Sequence, residues 1–193
     1  MNTKIAYKLF RVKKSEPGKI FPLYVLADKE TPMGVWLEAE SGIRTEDGKV
    51  KSKLGKLAYR PGWHLSDGVP YVTHIGSKDE SGKIAYMPDN LVWCEVEYRT
   101  DIDYQPEANA NGMQKNGKFS AKKAQLDHVP VDGWYKYKTN PNMFGTWIIA
   151  GNMKVNRVIT DDEVRELCKN WGLTPLERQS PFNFSQFKTK NVA

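Results

Sequence analysis

The sequence predicts a single α+β domain, in which a bent or split, mostly antiparallel β-sheet carries one capped helix near the C-terminus. Short runs alternate apolar and polar residues with a period of two, and Gly, Pro, Asp and Asn interrupt them. One segment alone, from Asp161, joins a helical stripe to a cap. No repeat, heptad or linker divides the 193 residues, so 1–193 reads as one β-rich domain with 173–193 as a partly irregular tail.

Lys4 to Val12 alternates as a strand with one wetter face. Ser15 to Lys19 turns the chain into a second strand, Ile20 to Leu26, which Pro22 confines to an edge or a bulge because proline donates no ladder hydrogen bond. Together they predict an N-terminal hairpin. An apolar run at Met33 to Glu40 precedes a polar loop, Ser41 to Lys56, which has little to bury. Strand-like pieces follow at Leu57–Tyr59, Tyr71–Ile75, Ile84–Met87 and Leu91–Tyr98. Asp101 to Gln125, with two Asn/Gly-rich clusters, reads as a long connection or an exposed hairpin tip. Gly133–Lys138 and Thr146–Ile159 are further strands, the latter turning at Gly151-Asn152.

In the predicted helix, Asp161 to Trp171, Thr160 and Glu163 form a capping-box pattern. Asp161 and Asp162 suit the positive end of its dipole. Val164, Leu167, Cys168 and Trp171 make one apolar stripe for docking on a sheet. Trp36, Trp93, Trp147 and Trp171 all lie in apolar runs and are expected in the core.

Mean hydropathy is −0.63 and no apolar stretch approaches a membrane span, which excludes an integral helical membrane protein. The first residues lack a signal-like apolar block, so a cytoplasmic protein is expected, and two cysteines in apolar contexts fit a reducing compartment. A net charge of +6 favours polyanions as partners, but each half of the chain carries +3 and there is no basic arm. Lys49, Lys51, Lys53, Lys56 and Arg60 form one cluster without an acid. Trp134, Tyr135 and Tyr137 alternate with Lys136 and Lys138, a pattern that can present rings and ammonium groups to a nucleic acid. Lys49, Lys51, Lys53, Trp134, Lys136 and Lys138 are therefore the candidate nucleic-acid surface, although Tyr135 and Tyr137 are expected to turn inward.

The densest chemistry lies in Tyr59-Arg60-Pro61-Gly62-Trp63-His64, followed by Thr73-His74-Ile75-Gly76. Three dispersed histidines, His64, His74 and His128, match no metal-ligand spacing, so no metal is expected. With Arg60 and Lys138 they could instead serve metal-independent acid–base cleavage of RNA. The YRPGWHLSD run and THIG resemble the Arg or His strand and adjoining segment of ADP-ribosyltransferase families, and the Glu-x-Glu of Leu91–Tyr98 is similar to the motif that supplies their catalytic glutamate. That resemblance implies NAD as cofactor, bound by Arg60, Trp63, Tyr71, His64 or His74, with Glu97, supported by Glu95 and His64, as the catalytic set. Period two puts Glu95 and Glu97 on one strand face.

More broadly, RPGWH, the segment Asp132–Pro141 and Trp147–Gly151 are similar to a family of proteins from bacteriophages and mobile elements of gut bacteria. This resemblance implies a setting, an accessory protein of a phage or mobile element, and not a reaction; nucleic acid or a host macromolecule is the expected partner. An NAD-dependent enzyme and a non-catalytic nucleic-acid-binding or structural protein are the two leading expectations.

Overall fold

The computed structural model describes residues 1–187. In chain order its strands begin with β1 (Thr3–Arg11), β2 (Trp36–Glu38), β3 (Lys49–Ser52), β4 (Gly55–Ala58) and β5 (Trp63–Ser66). They continue with β6 (Ser77–Lys78), β7 (Ile84–Tyr86), β8 (Leu91–Arg99) and β9 (Ile102–Asp103). Helix α1 (Gln105–Gly112) intervenes before β10 (Gly133–Tyr137), β11 (Trp147–Ala150) and β12 (Asn152–Val158), and α2 (Asp161–Lys169) follows.

Eight strands form one sheet in the order β2-β12-β8-β1-β5-β11-β10-β9. Every pairing in it is antiparallel except β9 with β10. The curvature follows from one short connection. Ala150 ends β11 and Asn152 begins β12, so Gly151 alone joins two strands that stand four positions apart. A flat sheet would separate them by about 19 Å at 4.8 Å per strand, whereas three consecutive Cα atoms span at most about 7 Å. The sheet therefore curls until its members nearly meet, although no ladder among the described residues closes it. The Trp63 indole donates to the Leu37 carbonyl at 3.2 Å, joining β5 to β2, which are also four positions apart. Gly151 is required by proximity: an added Cβ would collide with the Pro130 carbonyl.

The concave face is filled by Ala6, Phe10, Leu65, Val92, Cys94, Val96, Ile148, Ala150, Met153 and Val155. Phe182, Phe184 and Phe187 of the tail pack against this core. Arg178 holds that tail in place: its guanidinium pairs with Asp161 at 2.8 Å, donates to the Pro88 and Leu91 carbonyls, and stacks on Phe182. On the convex face Tyr7, Leu9, Leu91 and Trp93 pack with Val164 and Cys168 of α2. Toward the β10 edge, Tyr135, Tyr137 and Ile149 pack with Leu126 and with Ala108 of α1.

Several expectations change. The second strand of the N-terminal hairpin reduces to one bridge, Arg11 with Phe21, on the edge of β1 opposite β8, because bends and turns from Leu23 to Lys29 carry the chain away from β1. The polar Ser41–Lys56 loop contains β3, which pairs with β4. Tyr71–Ile75 is not a strand. Within the supposed long connection lies α1, which has little amphipathic pattern; beyond it Met113 and Phe119 form a bridge around a hairpin-like tip. Helix α2 has its capping box but ends at Lys169, so Trp171 leaves the buried stripe and is 55% exposed, its ring lying over Gly68. No helix among the described residues is long and apolar enough to cross a membrane.

Candidate functional site

Between β1 and β5 the ladder has a single pair, Tyr7 with Ser66. Beyond it the two strands part, and a cavity of about 520 Å³ occupies the opening. Residues from both sheet faces reach it, including Lys8 and Trp63 from the concave side and Leu9, His64 and Trp93 from the convex side. The β3–β4 hairpin forms a wall through Val50, Leu57 and Ala58, and Lys53 N–H bonds the Tyr24 carbonyl to fix the hairpin against the segment that follows β1. Trp147 and His74 complete the lining near His64.

The Pro61-Gly62 turn positions the key side chains. Gly62 has φ +132°, and an added Cβ would clash with Ile149, so the chain passes close over β11 before entering β5. The Gly62 carbonyl accepts from His64 Nδ1–H at 3.1 Å. That bond leaves Nε2 as the unprotonated nitrogen of the neutral ring. Burial, with the Lys8 and Arg60 charges nearby, pushes His64 down to about 3, so the ring is neutral at physiological pH. His74 is more exposed and edge-on to Trp147 at 5.7 Å, and partial burial lowers its proton affinity.

The Arg60 guanidinium stacks on Tyr137 at 4.9 Å and forms no ion pair among the described residues. Three carboxylates border the cavity: Glu40 pairs with Lys29, Glu30 with Lys19 at 2.8 Å, and Glu38 is exposed on β2. Lys8 is the residue that sequence pattern missed. It takes an inward position on β1 between Ala6 and Phe10, and its Nζ donates to the His64 carbonyl at 2.9 Å. Burial holds its ammonium down to about 8. Ala6, Phe10 and Val12 on its strand face are a sign that it points inward, but only the parting of β1 from β5 shows that it opens onto a cavity.

Arg60, Trp63, His64 and His74 thus come together. Tyr71 stands aside, edge-on to Phe144 at 5.5 Å. Glu97 and Glu95 lie outside the cavity. Both share the convex face with Trp93, but Glu97 is about 13 Å further along β8 at 3.3 Å per residue. Its carboxylate is held by Lys154 at 2.5 Å and by the Thr3 hydroxyl at 2.6 Å, which keep it below the usual carboxylate range. Glu95 pairs with Arg157 at 3.3 Å. His128 is also elsewhere: its Nε2 meets Glu107 at 2.7 Å, and that carboxylate raises its proton affinity.

The basic candidates do not form one uncompensated surface. Lys49, Lys51 and Lys53 belong to the hairpin, where Lys49 faces Asp47 at 3.7 Å. Lys136, on β10, pairs with Asp67 at 2.8 Å. Trp134 packs against the concave core with Lys4 over its ring, Tyr135 and Tyr137 are buried, and Lys138 follows the end of β10. Among the described residues no group of three or more His, Cys, Asp and Glu side chains could hold a metal. Comparison with protein-family models, curated proteins and solved structures found no match.

Proposed function

We propose that the chain binds a small aromatic anion of the nucleotide class in the cavity between β1 and β5. The supporting observation is that Arg60, Trp63, His64 and His74 share one cavity with Trp93 and Trp147, while Arg60 has no carboxylate partner among the described residues. About 520 Å³ falls within the range of small-ligand sites. Indole walls suit a planar base, and a guanidinium suits phosphate oxygens. The likeness of the YRPGWH segment to ADP-ribosyltransferases makes NAD the first ligand to test, in a phage or mobile-element accessory role. Transfer chemistry through Glu97 is not part of the proposal, because that carboxylate is engaged outside the cavity.

Calorimetric titration with NAD, ADP and adenosine, on the wild type and Arg60→Ala, tests this reading. A charge-assisted contact of about 1.5–3 kcal/mol predicts roughly 10- to 150-fold weaker ADP binding in Arg60→Ala, with adenosine little affected. Absence of binding by all three ligands, or equal losses for ADP and adenosine, overturns it. His64 and His74 sharing one cavity also supports a second reading, metal-independent phosphodiester cleavage in which His64 Nε2, too weakly basic to take the proton, accepts a hydrogen bond from the 2′-hydroxyl and the more exposed His74 serves as base. Cleavage of an RNA dinucleotide that survives His64→Ala counts against that role.

A further inference from the structure

The other inward positions near Lys8 are apolar: Ala6 and Phe10 on β1, and Cys94 opposite it on β8. On the β5 side the strands have separated, so the His64 carbonyl receives Lys8 Nζ, which also sits 5.6 Å from the Phe10 ring and 5.7 Å from the Trp63 ring. No carboxylate pairs with Lys8 among the described residues, and one carbonyl is its only hydrogen-bond acceptor there. We infer that Lys8 is a nucleophilic amine, and that the cavity takes an aldehyde or ketone bearing an anionic group, which condenses with Lys8 Nζ while Arg60 holds the anion.

The geometry separates the two cationic residues by role. Arg60 is a permanent cation that borders the cavity while its guanidinium stacks on Tyr137, and it can hold an anion without being consumed. Lys8 has what a Schiff-base amine needs: apolar surroundings, no counterion and access to the cavity. Burial is what favours its neutral form, and the groups around it do little to reverse this. The Cys94 thiol on β8 is kept protonated by its own burial, while His64 on β5 is neutral and Arg60 adds positive charge nearby. With the ammonium down at about 8, roughly one Lys8 in ten is a free amine at pH 7.

In the step itself, the Nζ lone pair attacks the carbonyl carbon, a C–N bond forms and the C=O π pair moves to oxygen. The two amine protons then leave with that oxygen as water, and a C=N bond remains. The step needs no oxidant, reductant or metal. This inference deepens the ligand-site reading and shares its cavity, but amine reactivity is measurable without any nucleotide.

The test uses the whole chain at pH 7. Limiting formaldehyde with cyanoborohydride, followed by peptide mass spectrometry, ranks the lysines by reductive methylation. Lys8 should react roughly tenfold faster than exposed Lys78 or Lys115, its larger neutral fraction outweighing its lower intrinsic nucleophilicity. Pyridoxal phosphate trapped with borohydride should label Lys8 about tenfold faster than pyridoxal, which lacks the anion. Lys8→Arg keeps a donor for His64 but should remove the fast-labelling fraction. Methylation of Lys8 no faster than of surface lysines overturns the nucleophile. Equal rates for the two pyridoxal probes overturn the anionic ligand class. Selective methylation of Lys8 in a protein that binds no nucleotide upholds the amine while the nucleotide reading fails.

Discussion

Lys8 shows how one residue can oppose the fold that contains it. Moving its ordinary value of 10.5 to about 8 means that the folded state disfavours the charge carried at neutral pH. The unfolded chain binds this proton more tightly, so stability rises with pH between those values and is lowest below them. Lys8→Met should therefore stabilise the protein at pH 7 by about 1–2 kcal/mol in urea titration, the lost donor to the His64 carbonyl offsetting part of the gain. His64 has the same sign in another window. Its folded value of about 3 lies below the ordinary 6.5, so its contribution is intact above pH 6.5 and is lost as pH falls from there toward 3. His64→Gln should flatten the acid limb of stability by up to about 1 kcal/mol per pH unit near pH 5, measured as the difference between the two denaturation series. These two residues also show what sequence could supply. His64 stood out because a Pro-Gly turn brings Arg, Trp and His close together, whereas Lys8 shares its strand face with Ala6, Phe10 and Val12, a sign that it points inward, and nothing in the pattern marked it as unpaired.

At the scale of elements, local signals succeeded where a few neighbouring residues settle the outcome. Both bonds of the α2 capping box are present: Glu163 N–H donates to the Thr160 hydroxyl at 3.3 Å, and Thr160 N–H donates to the Glu163 carboxylate at 2.8 Å. Thr160→Ala should cost about 1 kcal/mol, seen as an earlier urea midpoint with an unchanged m-value. Helix α1 escaped notice because Gln105–Gly112 has no apolar stripe. It is retained by tertiary contacts, with Ala108 buried beside Leu126 and Gln105 bonded to the Lys136 backbone at 2.8 Å. Tyr71–Ile75 misled for the converse reason: its apolar residues cover the convex core and the cavity without needing a ladder.

At the scale of the molecule, Gly151 joins the two ends of a five-strand arc. An alanine there would push against Pro130 and Val131 backbone atoms, which belong to the segment entering β10. Gly151→Ala should destabilise by more than the few tenths of a kcal/mol typical of surface changes, and it should also weaken ligand binding, because the same curl carries Trp63 to Leu37 at the cavity. Thermal melts and titration of the variant together test this, and wild-type stability with wild-type binding would contradict it.

The sequence by itself determined the α+β class, the mostly antiparallel pairing, the capped helix and the gathering of Arg60, Trp63 and His64 at one turn. Each depends on period, capping or adjacency, which act over a few residues. Tertiary structure alone decided that β1 and β5 separate after one pair, that Lys8 enters the opening, that His74 and Trp147 arrive there, and that Glu97 is held by Lys154 and Thr3 outside the cavity. Sheet order and curvature set those distances, and both arise from pairings between residues as far apart as Ile5 and Glu97, which no local pattern encodes.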